Sequence, residues 1–348
     1  MMDGKLKQAA RHLTETPLLE LGQMADDCRV VLHPEHIVTF IVDRNINYTN
    51  VCVNKCSFCA FYKDEGSPEA YIIDEGVLME KISETIALGG TQILIQGGLN
   101  PSLNIAYYSA LLQKIKKMFT INIHGFSPPE IAYMASKAGL SIRETVITLK
   151  DAGLDSIPGG GAEILSDRVR QLISPRKINT ATWLEVMKEA HLLGMRTTAT
   201  MMFGTVETPQ DIIAHLEAIW RLQGQTGGFT AFIPWTFQPG GSVLGREIID
   251  STGHATAVDY LRVLALSRIY LDNIKNIQAS WVTQGIKTAQ VALRFGANDF
   301  GSTMIEENVV KAAGVAFMVS KNDIIGAIKS TGFRPAQRDT YYNVLNYF

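Results

Sequence analysis

From residue 37 onward, apolar runs and amphipathic stretches alternate along the chain. Ile37–Val42 (Ile-Val-Thr-Phe-Ile-Val) is almost continuously apolar and β-branched, the pattern of a strand covered on both faces. Gln92–Gln96, Thr120–His124, Asp155–Pro158, Arg196–Phe203, Phe229–Phe237 and Ile277–Val282 repeat it, and Asp299–Met304 does so weakly. Between these runs the spacing predicts helices over 76–88, 102–118, 129–152 with a break near Gly139, 165–173 with 180–193, 208–223, 257–274, 286–295 and 306–313. Two helix starts are legible. Ser127-Pro128-Pro129-Glu130 places a capping serine before proline, with glutamate three residues on, and Thr208-Pro209-Gln210-Asp211 reads likewise.

Eight strand–helix units over about 280 residues predict an α/β fold, a closed (βα)8 TIM-type barrel. A doubly wound open sheet is the alternative. Residues 1–36 read as an N-terminal helical extension, 37–319 as the barrel, and 320–348 as a C-terminal helical extension packed on it. No Pro-, Gly- or Ser-rich linker divides the chain. A barrel places its active site on the loops after the strands. The loops after the first six strands carry, in turn, the cysteines, Gly97-Gly98, His124-Gly125, Gly159-Gly160-Gly161-Ala162-Glu163, Gly204 and Gln238-Pro239-Gly240-Gly241.

Composition narrows the field. Apolar residues make up 46% of 348 and charged residues 19%, enough for a large core. A net charge of −2 gives no general reason to bind nucleic acid or an anionic membrane. The N-terminus lacks the apolar run of a signal peptide, and no stretch approaches the ~20 apolar residues of a membrane span. A cytoplasmic protein is expected, with neither nucleic acid nor membrane insertion among its partners.

Three of the four cysteines fall within eight residues, as Cys52-x3-Cys56-x2-Cys59 directly after the first strand. Thiolates this dense are ligands for iron–sulfur clusters. A four-iron cubane normally takes four thiolates, so three leave one iron open. Structural zinc wants a second ligand pair that is missing here, and disulfides would leave an odd thiol. Cys28 stands alone in a helical pattern and reads as a small buried hydrophobe.

Cys52-x3-Cys56-x-Phe58-Cys59 resembles the signature of radical S-adenosylmethionine (radical SAM) enzymes. The resemblance implies a 4Fe–4S cluster on Cys52, Cys56 and Cys59, with S-adenosylmethionine filling the open iron and giving a 5′-deoxyadenosyl radical. It implies cofactor contacts from Phe58 beside adenine, from Tyr62, and from Gly97 and Gly98, where the family's usual next acidic residue is Leu99. Glu163 matches a glutamate that relatives place near the cofactor; the alternative is a solvent-facing residue in a first helical turn. Asn45–Val53, Cys59–Tyr62, His124–Glu130, Ser280–Gly285 and Gly296–Val310 together resemble the family of cyclic dehypoxanthine futalosine synthase, of the futalosine route to menaquinone. That family takes a hydrogen from the sugar, at C4′, of dehypoxanthine futalosine and closes a ring onto the benzoate. A flavodoxin or ferredoxin is the expected reductant. Candidate substrate contacts are His124 (sugar binding, proton acceptance or packing), Thr236 and Gln238 (toward the rim or away), Arg294 (benzoate or surface) and Glu306 (substrate or helix cap). The rivals are aminofutalosine synthase, the tyrosine-using FO synthase subunit and a noncatalytic iron–sulfur protein.

Overall fold

The computed structural model describes residues 2–251, 255–314 and 319–348. The first run continues past its predicted end. After β1 (Ile37–Ile41) and a break at Val42, β2 (Asp43–Asn47) carries the strand on through Asp-Arg-Asn-Ile-Asn. Its polar residues hid it from a hydrophobicity reading, yet all five are buried. β2 begins a parallel sheet of seven strands, followed by β3 (Gln92–Gln96), β4 (Asn122–Gly125), β5 (Ser156–Ile157), β6 (Arg196–Phe203), β7 (Phe229–Thr236) and β8 (Asn276–Ile277). β9 (Asp299–Ser302) pairs in parallel with β1, and a single parallel bridge, Gln278 to Asp299, joins it to the end of β8. The circuit therefore returns to the strand where it began, as a barrel requires.

Most expected helices are present with ends moved by a few residues. The 129–152 stretch is two helices, Pro128–Ala138 and Ile142–Ala152, because Gly139 adopts φ 68° and ends the first. Ser127 and Glu130 form the predicted capping box, and Thr208 with Asp211 another. Several expectations shrink, the 155–158 strand to Ser156–Ile157 among them. The 277–282 strand stops at Ile277, because Trp281 already starts a helix, which is kinked at Gly285. The 306–313 helix is only Val309–Ala312.

The flanking segments close the ends. Met2–Thr14 packs on Pro209–Thr226, and Leu18–Leu32 on Ala257–Tyr270. At the other terminus Lys321–Ser330 is followed by β10 (Arg334–Arg338) and β11 (Val344–Tyr347), strands that the sequence reading took for part of a helical addition. β10 runs parallel to β1 and delivers Arg338 beneath the barrel, where Asp299 receives it bidentately at 2.5 and 3.1 Å.

Candidate active site

Alternation along the strands turns one face of each into the lumen. The inward residues are unusually polar: Asp43 and Asn45 on β2, Gln92 and Gln96 on β3, His124 on β4, Thr198 and Thr200 on β6. They surround a cavity of about 280 Å³. Leu94, Ile233 and Trp235 supply its apolar wall; Arg338, Thr340 and Tyr342 its floor; Met304, Glu307, Val309 and Val310 one side of its mouth. Burial drives the His124 pKa down to about 3, with Arg338 adding to the effect, so its ring is neutral. Ser156 Oγ lies 2.6 Å from its Nδ1. Burial likewise raises Asp43 to about 6, against hydrogen bonds from Ser302 and Gln92.

The cysteine loop leaves the end of β2 above this lumen and is tied down on two sides. Asn50 donates to the Glu69 carbonyl at 2.8 Å and accepts from the Tyr71 amide at 2.9 Å. Gly98 N donates to the Thr49 carbonyl, and Val53 N to the Leu99 carbonyl. Gly98 has no room for a side chain: a Cβ would sit 2.2 Å from the Val51 carbonyl oxygen and 2.9 Å from Cys52 Cβ. Glu130, besides capping its helix, accepts from Tyr48 Oη at 2.8 Å and from Gly97 N at 3.0 Å. Both glycine amides are thus occupied, and their carbonyls are what the pair can offer to an ammonium group.

The donor set of the loop fits a thiolate-bound cluster. Cys52, Cys56 and Cys59 share one loop and feel one another's charge. Burial pushes the Cys56 thiol up to about 12, with Lys177 pulling the other way. Burial also raises Cys59, against the backbone N–H groups of Phe61 and Tyr62 that face its sulfur. Buried thiols of this kind ionise when a metal replaces the proton. Among the described residues no three His, Cys, Asp or Glu side chains are already gathered as metal ligands, so the fit is one of donor type and placement. Cys28 lies apart, in the helix that packs on Ala257–Tyr270.

Glu163 connects loop and lumen. It is buried and lines the cavity, in a loop before the helix Asp167–Ile173, at φ 41°. The solvent-facing alternative is therefore excluded. Its Oε1 accepts from Lys177 Nζ at 2.8 Å. Its Oε2 has no hydrogen-bond partner among the described residues; Arg170 Nη1 lies 3.6 Å away. Arg170 instead donates to the carbonyls of Gly161, Ala162 and Ile178, which fixes the glycine loop. Lys177 Nζ also lies 5.3 Å from the centre of the Phe58 ring. Burial works against its ammonium, but Glu163 and Cys56 outweigh that and raise its pKa.

The other expected site residues divide. Tyr62 sits half-buried on the cysteine loop, and neither it nor Gly97 nor Gly98 lines the cavity. Thr236 and Gln238 do not reach the lumen either. The β7 residues that do are Thr230, Ile233 and Trp235, and Thr236 Oγ1 is used by Gln238 and Gln284 on the far face. Arg294 stacks on Phe333 at 4.3 Å and donates to the Thr331 carbonyl, away from the cavity. Glu306 pairs with Lys81 and Arg44; its neighbour Glu307 is the one at the mouth. Lys177, Asp43, Asn45 and Arg338 were missed. For Asp43 and Asn45 the signal was present, as polar residues at alternate positions of a run continuing a buried strand. For Lys177 and Arg338 only the fold supplies it.

Comparison with known proteins agrees with this geometry. Residues 46–219 match the radical SAM superfamily, and residues 226–347 match the CofH/MqnC C-terminal region. The chain is 46% identical to cyclic dehypoxanthine futalosine synthase of Halalkalibacterium halodurans, over 94% of this chain and 88% of that one. It is 43% identical to the synthase of the same name from Streptomyces coelicolor, over 95% and 83%. It is 40% identical to 5-amino-6-(D-ribitylamino)uracil–L-tyrosine 4-hydroxyphenyl transferase of Methanococcus aeolicus, over 88% and 87%. In fold it resembles the crystal structure of methylornithine synthase (PylB), with a TM-score of 0.72 at 16% identity over 95% and 94% of the two chains. The superfamily match brings with it that superfamily's cofactors, a 4Fe–4S cluster and S-adenosylmethionine. This chain is an enzyme of the radical SAM superfamily, in the group that carries the CofH/MqnC C-terminal region, which here includes the last three barrel strands.

Proposed function

We propose that the enzyme converts dehypoxanthine futalosine to its cyclic product, in the futalosine route to menaquinone. The observation that carries this reading is the identity to the two cyclic dehypoxanthine futalosine synthases, 46% and 43% over nearly whole chains. The hydroxyphenyl transferases stand at 40–42%. Their comparable coverage keeps transfer of a tyrosine-derived group to 5-amino-6-(D-ribitylamino)uracil as the second reading.

In this scheme residues 37–319 form the catalytic barrel, and 1–36 and 320–348 its extensions. Cys52, Cys56 and Cys59 hold the cluster. Glu163 Oε2 and the Gly97 and Gly98 carbonyls receive the cofactor's ammonium or hydroxyl donors, Lys177 its carboxylate, and Phe58 its adenine. Leu99 is buried and gives its carbonyl to Val53, so the free carboxylate oxygen of Glu163 takes the place of the usual acidic residue. When bound, cluster and cofactor together supply a 5′-deoxyadenosyl radical that takes a hydrogen atom from the substrate. The chain's own work is positioning, which dominates when a cofactor carries the reactivity. Leu94, Ile233 and Trp235 offer the aromatic ring a flat apolar wall. Restoring aromaticity after ring closure releases one proton and one electron, and the oxidised cluster would take the electron. Asp43, with its pKa raised by burial to about 6, suits acceptance of the proton better than His124, whose neutral ring serves as a hydrogen-bonding wall. A flavodoxin or ferredoxin supplies electrons in the cytoplasm. Among the described residues no helix is long and apolar enough to cross a membrane.

The test is product analysis under anaerobic, reducing conditions with S-adenosylmethionine and either substrate set. Cyclised nucleoside from dehypoxanthine futalosine supports the reading. Product formed only from tyrosine with the ribitylaminouracil supports the second.

A further inference from the structure

We infer that Asn45 reads a hydroxyl group of the substrate: its side-chain oxygen, held toward the lumen by Glu307, accepts a hydrogen bond from a polyhydroxylated ring or chain. The inference deepens the proposed function and rests on it.

Asn45 sits in the middle of β2, opposite Leu94, and is buried with its side chain lining the cavity. Its amide nitrogen donates to Glu307 Oε2 at 2.6 Å. The other carboxylate oxygen of Glu307 accepts from the backbone amides of Val309 and Val310 at 2.7 and 3.0 Å. A carboxylate held in that way only accepts, so it takes the NH2 side of the amide and leaves the oxygen on the other side. That oxygen, Oδ1, is buried and has no partner among the described residues. A buried acceptor is rarely left unmet in a folded protein, and this one lines a cavity.

The surroundings select the donor. Asp43 lies two residues earlier on the same face, with its carboxylate already engaged by Ser302 and Gln92. Thr198 and Thr200 present hydroxyls from β6, and His124 a neutral imidazole from β4. A wall of amides, hydroxyls and two carboxylates already engaged, Asp43 and Glu307, solvates a neutral polyol well and an aromatic acid poorly. The sugar of dehypoxanthine futalosine therefore lies along β2, and its aromatic ring against Ile233 and Trp235 on β7. Glu307 acts as a positioning residue, through Asn45.

Calorimetric binding of dehypoxanthine futalosine to the cluster-loaded enzyme with S-adenosylmethionine, compared with analogues each lacking one sugar hydroxyl, tests this. Asn45→Ala should raise Kd about tenfold, equivalent to about 1.4 kcal/mol. One deoxy analogue should bind wild type about tenfold more weakly than the parent and should lose nothing further in Asn45→Ala. Glu307→Ala, which keeps Asn45 but frees its amide to rotate, should weaken binding severalfold and covers the case in which Asn45→Ala does not fold. A general structural defect would weaken every analogue equally. That result, or wild-type affinity in both variants, overturns the inference. If wild type does not bind the nucleoside but does bind 5-amino-6-(D-ribitylamino)uracil, the cyclase reading fails, and shortened ribityl chains compared in the same two variants decide the role of Asn45.

Discussion

Lys177, itself partly buried, donates to the buried Glu163 across 2.8 Å, and this contact is the bridge between the cysteine loop and the lumen. One oxygen of Glu163 is spent on that bridge and the other is left open. Glu163→Gln keeps the shape and removes the charge. Affinity for S-adenosylmethionine should fall by about 1.5–3 kcal/mol, the scale of a hydrogen bond to a charged group, while iron content stays constant. An unchanged dissociation constant in the cluster-loaded variant would remove Glu163 from the cofactor site.

Alanine at Cys52, Cys56 or Cys59 should abolish cluster retention and cofactor cleavage, since each removes one of three thiolates. Cys28→Ala should keep both, because that thiol lies on the helix Leu18–Leu32, apart from the cysteine loop. Iron and sulfide counting after anaerobic reconstitution decides between these outcomes. Loss of the cluster in Cys28→Ala, or full content in Cys56→Ala, would contradict the assignment.

Gly98→Ala places a methyl 2.2 Å from the Val51 carbonyl oxygen and 2.9 Å from Cys52 Cβ. Backbone must move, and overpacking of this kind costs about 1–3 kcal/mol. The displaced atoms belong to the cysteine loop, so cluster incorporation should fall along with the unfolding midpoint. Gly139→Ala is the control. Its φ of 68° makes alanine strained there, but a Cβ would meet nothing within 4 Å. It should lower stability alone, and iron content should remain at the wild-type level.

Three buried histidines make the fold sensitive to acid. Burial lowers His124 and His215 to about 3 and His191 to about 4. Arg338, Arg170 and Arg196 respectively push the same way. The unfolded chain protonates these rings near the ordinary value of about 6.5, where the folded chain does not. Unfolded protein then binds more protons, so stability falls as pH drops below that value. From pH 7 to 5 each ring should cost on the order of 2 kcal/mol. Asp43, raised to about 6, opposes them with roughly 1 kcal/mol of added stability on acidification. Urea unfolding at both pH values measures the net loss, and a midpoint unchanged between them would contradict it.

How much of this was readable in the sequence depended on where apolarity and function coincide. Gln92–Gln96 and Arg196–Phe203 have the same bounds in the sequence reading and in the structure, because both are flanked by helices and rich in apolar residues. The strand after Val42 was lost because its residues face a polar lumen, and hydrophobic periodicity is blind to such a wall. The cysteine motif declared its chemistry by spacing alone. For Thr236 the sequence leaves the rim and the far face open; Trp235 takes the lumen side of the pleat, and a shift of one residue reverses a strand's faces. Arg294 reads as a benzoate contact or a surface residue, and it lies away from the cavity; Arg338, which does line it, is carried there by β10 from the far end of the chain. Lys177 lies 14 residues beyond its partner Glu163, a separation with no local signature.

The central claim is hydrogen abstraction followed by ring closure within one substrate. The most direct measurement follows reduced, cluster-loaded enzyme with S-adenosylmethionine and dehypoxanthine futalosine deuterated at the sugar C4′ position. The account predicts cyclised product and 5′-deoxyadenosine in equal amounts, with the deuterium in the 5′-deoxyadenosine. No cyclised product, or product with the adenosyl carbon bonded into it, would contradict the account.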